Sequence, residues 1–167
     1  MNLKKLKILG VILAFLYSFL LHELYKIAPC FLTSIVAPIN ESIFEHMKII
    51  FGSLILSGIT QKIIVIINKY NYNNICFSNF LAAILGIFIF LIMFLPVYSI
   101  IGENLPVTLI IMLITYIIAE YISYIIIKKP DLKLENKTIF FVIITYILFE
   151  LLTYFPLNSP LFIEKSG

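Results

Sequence analysis

Five runs of apolar residues, at about 6–28, 43–67, 77–101, 105–127 and 138–155, account for most of this chain. Each is close to the roughly 20 residues that an α-helix needs to cross the hydrocarbon of a bilayer. A soluble chain of this size would have nothing with which to cover its surface: mean hydropathy is +1.08 and only 13% of the residues are charged. The runs lack the alternating polarity of barrel strands. The sequence therefore predicts an all-α integral membrane bundle of about five transmembrane helices forming one polytopic domain over 1–167. The linkers NKYNYNN and KKPDLKLENK are too short to hold a soluble domain.

Lysines set the expected orientation, because the chain has no arginine. With the N-terminus in the cytoplasm, Lys4, Lys5, Lys7, Lys62, Lys69, Lys128, Lys129, Lys133 and Lys137 fall inside, and only Lys26, Lys48 and Lys165 outside. That distribution obeys the positive-inside rule. The C-terminus is then external. MNLKKLK followed by an apolar run also has the form of a signal peptide, but no small-residue cleavage site follows it, so it reads as a retained anchor. Cys30 and Cys76 are expected at opposite membrane faces, too far apart for a disulfide, and they form no C-x-x-C redox or zinc motif. The net charge of +3 is explained by orientation. No phosphate loop or basic aromatic patch suggests nucleic acid; the expected partners are the lipid bilayer and a second copy or another membrane protein.

Ionisable side chains crowd together once, in APINESIFEHMK at 37–48. Pro38 ends any preceding helix, Asn40 is read as the N-cap of the second span, and Glu41 in its first turn complements the helix dipole. Around that helix Glu41, Ser42, Glu45, His46 and Lys48 share an arc of about 160°, which should face inward or toward an outer vestibule. Two readings stay open. In one, Asn40 caps, Glu45 pairs with Lys48 at i,i+3, and His46 sits at headgroup level. In the other, the two histidines of the chain, His22 beside Glu23 and His46 beside Glu45, meet at the outer face. There His22, Glu45 and His46, with Glu23 and Glu41 near, could hold a divalent metal or relay protons. The spacing matches no established metal motif. Asn40-Glu41-Ser42 also fits a glycosylation acceptor, which capping use of Asn40 argues against.

A second constellation is a repeat. ITYIIAEYISY at 114–124 and ITYILFELLTY at 144–154 align at an offset of 30 residues. One helical face then carries Tyr116, Glu120, Ser123 and Tyr124, and another Tyr146, Glu150, Thr153 and Tyr154. Antiparallel spans would put Glu120 in the inner half and Glu150 in the outer, roughly 10 Å apart in depth. Tyrosine hydroxyls could satisfy each glutamate and bind helices together, or the glutamates could mark an ion or proton path.

The stretch 37–48 resembles the signature A-P-[VI]-N-E-S-x-[WF]-E-H-[LM]-K of a family of small bacterial multi-span membrane proteins, domain of unknown function 6512. AEYISY at 119–124 and LTYFPLNSPLF at 152–162 resemble later segments of it in the same order. The resemblance implies the bacterial cytoplasmic membrane and singles out Asn40, Glu41, Ser42, Glu45 and His46, but implies no activity. At position 120 the family pattern often has glutamine, which counts against catalysis by Glu120.

Three function classes are consistent with these residues. An ion- or proton-linked binding or transport protein would use Glu120 and Glu150 with the outer cluster as its mouth. A non-catalytic accessory or sensor subunit needs only packing. A metal-assisted hydrolase would use His22, His46 and their glutamates, but it lacks a third histidine and a G-x-S-x-G elbow.

Overall fold

The computed structural model describes residues 2–102 and 104–163. Five of its helices are long and apolar enough to cross a membrane: α1 (Leu3–Ile27), α3 (Ile43–Ile67), α4 (Ile75–Ile101), α5 (Leu105–Ile127) and α6 (Glu135–Tyr154). A four-residue helix, α2 (Phe31–Ser34), lies between α1 and α3, and a 3-10 turn at Pro160–Phe162 ends the described chain. No strand occurs among the described residues. The protein is an all-α bundle of the membrane type.

α1, α4 and α6 start two or three residues before their apolar runs, at Leu3, Ile75 and Glu135. Asn2 accepts a bond from Lys5 N and caps α1. Glu135 opens α6, and its carboxylate takes the N–H groups of Cys76 and Phe77 at 2.7 and 3.0 Å, so the side chain of α6 supplies the N-terminal cap that α4 lacks from its own residues. At the head of α3 the expectation needs correction. Ser42, not Asn40, is the N-cap, accepting from Glu45 N at 3.3 Å. Asn40 instead accepts from Ser42 N and shapes the preceding turn, and Glu41 stands before the helix rather than in its first turn.

Four helices form a ring: α1 and α4 each pack on both α3 and α5. Close approach follows from small residues. The buried face of α1 runs through Lys7, Gly10, Ala14, Ser18 and Leu21, and the core of α4 includes Ser78, Ala82, Ala83 and Gly86, the small-residue pattern by which membrane helices pack. α3 is the central element, with Ile49, Ile50, Phe51 and Leu54 all buried. α6 sits outside the ring against α4 and against α3 through Phe149, which packs near Phe44 and Phe51.

The loops after α3 and after α5, at the end of the bundle where α1 begins, are stitched by one residue. Asn74 is buried and left-handed (φ 59), a conformation that asparagine tolerates. Its amide donates to the carbonyls of Lys129 and Pro130, and its Oδ1 accepts from Leu132 N at 2.8 Å. Asn74→Ala strips partners from three backbone groups. We expect it to cost about 1–3 kcal/mol, read as a lowered unfolding midpoint in detergent titrations.

Candidate functional site

Two buried ion pairs lie toward opposite ends of α3. At the end of the bundle where α1 begins, Lys7 Nζ is 3.1 Å from Glu120 Oε2, with both side chains nearly inaccessible. The ammonium also donates to Gln61 Oε1 at 2.7 Å, Asn79 Oδ1 at 2.6 Å and Ser123 Oγ at 2.7 Å. Gln61 turns its amide nitrogen to Glu120 Oε1 at 2.6 Å. Gly10 is required here, because a Cβ at that position would run into both Gln61 and Glu120. Gly10→Ala should therefore push the helices apart and cost about 1–3 kcal/mol, measurable as a fall in thermal stability without loss of helix content.

At the opposite end of the bundle Lys48 and Glu45 pair at 2.7 Å, one turn apart on α3 and both buried. Lys48 also donates to Ser34 O at 2.8 Å and Thr153 Oγ1 at 3.1 Å. Glu45 accepts from Ile39 N at 3.1 Å and from the Thr153 hydroxyl at 2.8 Å. This pair ties the 34–39 segment and the end of α6 to α3. Between the two pairs Ser53 donates to the Tyr116 hydroxyl at 2.9 Å, and Ser57 donates to Gly10 O at 2.8 Å. Ser53, Ser57 and Gln61, four residues apart, make one buried row that covers about 12 Å of α3, while Glu45 and Lys48 are buried on another side of the helix, toward segment 34–39 and the end of α6.

The tyrosine-and-glutamate repeat works differently from its expected use. Glu120 faces the bundle, but its partners are Lys7 and Gln61, while Tyr116 turns to Ser53 and Tyr124 to Lys128. Ser123 joins Lys7 and Asn79. Glu150 accepts from the Ser34 hydroxyl at 2.7 Å, and Tyr154 lies 3.4 Å from that same hydroxyl. Glu150 and Tyr146 line an apolar groove of 940 Å³ beside Phe31 and Ile147, and Thr153 belongs to the Glu45–Lys48 pair. Lys7, assigned above to orientation, lies inside the bundle. A signal for it was present: Gly10, Ala14 and Ser18 recur on one face, and Lys7 continues that face by one turn.

The histidines do meet. His22 in the last full turns of α1 and His46 in the first turn of α3 have ring centroids 5.8 Å apart. Their common partner is Glu41, not Glu45: Glu41 Oε2 is 3.3 Å from His22 Nε2 and 3.7 Å from His46 Nε2. Glu45 points the other way, into the bundle, because Lys48, Thr153 and Ile39 N claim its carboxylate. The expected set His22, Glu45, His46 is corrected to His22, Glu41, His46. Glu23 takes His22 Nδ1 at 2.9 Å, and Lys26 reaches Glu41 Oε1 at 3.2 Å. Partial burial opposes ionisation of Glu41, but the Lys26 hydrogen bond, with the charges of His22 and His46 when those rings are protonated, outweighs it and holds the carboxyl below its ordinary range.

An all-helical bundle with charged groups paired inside it and five helices long and apolar enough to cross a membrane fits the class of multi-span membrane proteins. Residues 1–167 match the family model described as "Family of unknown function (DUF6512)", and the chain belongs to that family. No curated protein and no solved structure matches the chain.

Proposed function

We propose that this chain is a proton-linked membrane carrier whose path runs from the Lys7–Glu120 pair along the Gln61, Ser57 and Ser53 row of α3. The observation that carries this reading is the Lys7–Glu120 pair, buried among Gln61, Asn79 and Ser123. A buried ion pair contributes little net stability over an apolar replacement, and ionisable groups within a span mark ion and proton pathways by default. A cleft of 360 Å³ between α1 and α5, lined by Lys7, Glu120, Tyr121 and Tyr124, leads to the pair. Protonation of Glu120 cancels its charge and frees the Lys7 ammonium. The pair thereby couples proton occupancy to the fit between α1 and α5, with Ser57, Ser53 and Tyr116 carrying hydroxyls on toward the outer end.

The direct test is proton flux into proteoliposomes loaded with a pH-sensitive dye, under an imposed potential. Wild-type protein is expected to move protons and Glu120→Gln to abolish the flux while remaining folded. Flux that persists in Glu120→Gln, or that is absent from the folded wild type, would sink this reading.

Orientation in the bacterial cytoplasmic membrane, N-terminus inside, is part of the same proposal and is supported by the lysine distribution. Cys30 is exposed before α2, whereas Cys76 is half-buried in the first turn of α4 at the other end of the bundle. The Thr33 hydroxyl beside the Cys30 sulfur draws its thiol below the usual range, which favours reaction. A membrane-impermeant maleimide added to intact cells should label Cys30 and spare Cys76; the reverse pattern would invert the topology.

A further inference from the structure

We infer that His22, Glu41 and His46 form a binding site for a divalent cation of the zinc class, with a fourth coordination position open to solvent. The inference stands apart from the proton-linked reading and does not depend on it.

The argument begins with the ring nitrogens that face away from the cluster. His22 Nδ1 lies 2.9 Å from a Glu23 carboxylate oxygen, and His46 Nδ1 lies 2.9 Å from the Ser42 carbonyl oxygen. Both partners only accept, so both Nδ1 atoms carry the hydrogen. In the neutral rings the lone pairs are then on Nε2, and both Nε2 atoms point at the same carboxylate oxygen, Glu41 Oε2, at 3.3 and 3.7 Å. In that state the three electron-rich atoms converge without a shared hydrogen and repel one another; a proton on one ring relieves a single contact, whereas a divalent cation between them engages all three. Hydrogen bonding of each outward nitrogen to a carboxylate or a backbone carbonyl is also the arrangement that fixes tautomer and ring orientation in metal-ligating histidines.

Geometry and chemistry agree with that occupant. The three donor atoms lie within 4.8 Å of one another. A tetrahedral ion with bonds of about 2.0–2.1 Å would draw them to about 3.3 Å apart, a small movement for side chains that are 21–38% exposed. Two imidazoles and one carboxylate suit zinc and its neighbours over magnesium or calcium, which prefer oxygen alone. Three protein ligands leave the fourth place to water or an incoming group, the pattern of exchangeable and catalytic sites rather than closed structural ones. Glu41 is also tethered from behind, since Lys26 holds its other oxygen at 3.2 Å.

The test uses the full chain, purified in detergent, stripped with chelator and titrated with Co²⁺ alone at neutral pH, followed by competition with Zn²⁺. The expected result is one Co²⁺ per chain with the visible absorption of a four-coordinate nitrogen and oxygen site, displaced by Zn²⁺. His22→Ala and His46→Ala should each weaken binding by at least about tenfold. Glu23→Gln, which alters an exposed group that does not touch the ion, should weaken it by about 10- to 100-fold, and this variant decides the matter if either histidine variant fails to fold. Absence of the Co²⁺ spectrum in folded wild type, or affinity unmoved by Glu23→Gln together with the histidine variant that folds, overturns the site whatever the proton-flux assay shows.

Discussion

Lys7→Met is expected to destabilise the bundle by about 3–5 kcal/mol, because it leaves the Glu120 carboxylate buried without its counter-charge. The lost ammonium served four side chains at once, on α3, α4 and α5, so the damage reaches all three helices that face α1 across the core. Adding Glu120→Gln to Lys7→Met should recover most of the loss, since the double variant removes both charges and keeps an amide beside Gln61. Unfolding in mixed detergent micelles, followed by circular dichroism, measures both steps. A double variant no more stable than Lys7→Met alone would show that the hydrogen bonds to Gln61, Asn79 and Ser123, rather than the charge, carry the energy. The comparison also separates stability from transport, because Glu120→Gln alone should lose flux at a smaller cost in stability.

The second large effect is expected at the Glu45–Lys48 pair. Lys48→Met strands Glu45 in a fully buried position and removes the bonds to Ser34 O and Thr153, again at about 3–5 kcal/mol. Its consequences should be local. Segment 34–39 and the end of α6 are the elements that Lys48 and Glu45 tie to α3, so hydrogen exchange should rise there while the Lys7–Glu120 end keeps its protection. Uniform loss of protection along all five long helices would mean that the two ends unfold as one unit.

The architecture was legible in the sequence to within a few residues at each helix end, because span length and apolar content are one-dimensional properties. The i,i+3 pairing of Glu45 with Lys48 was legible for the same reason: both residues are on one helix. Partnerships between helices were not. Glu120 finds Lys7 across 113 positions of sequence, and no local spacing reports that. The positive-inside rule directed attention away from Lys7, since it assigns terminal lysines to the cytoplasm and does not ask which helical face they share with Gly10 and Ala14. His22 and His46 were brought together by topology alone, but the third member was misplaced by a one-turn ambiguity. Capping by Ser42 rather than Asn40 leaves Glu41 on the loop, free to turn toward the rings, and commits Glu45 to the interior.

The peripheral seat of α6 bears on the order of assembly. A chain made from its N-terminus completes the ring of α1, α3, α4 and α5 before α6 has been synthesised. Until then the N–H groups that open α4 lack the Glu135 carboxylate, and Lys62 lacks the same partner at 3.1 Å. Arrival of α6 closes both ends together, Glu135 at one and Thr153 at the other. α6 thus acts as a two-point clasp on a ring formed before it, with Glu135 on α3 and α4 and Thr153 on the far end of α3, so its seating depends on both helices being in register.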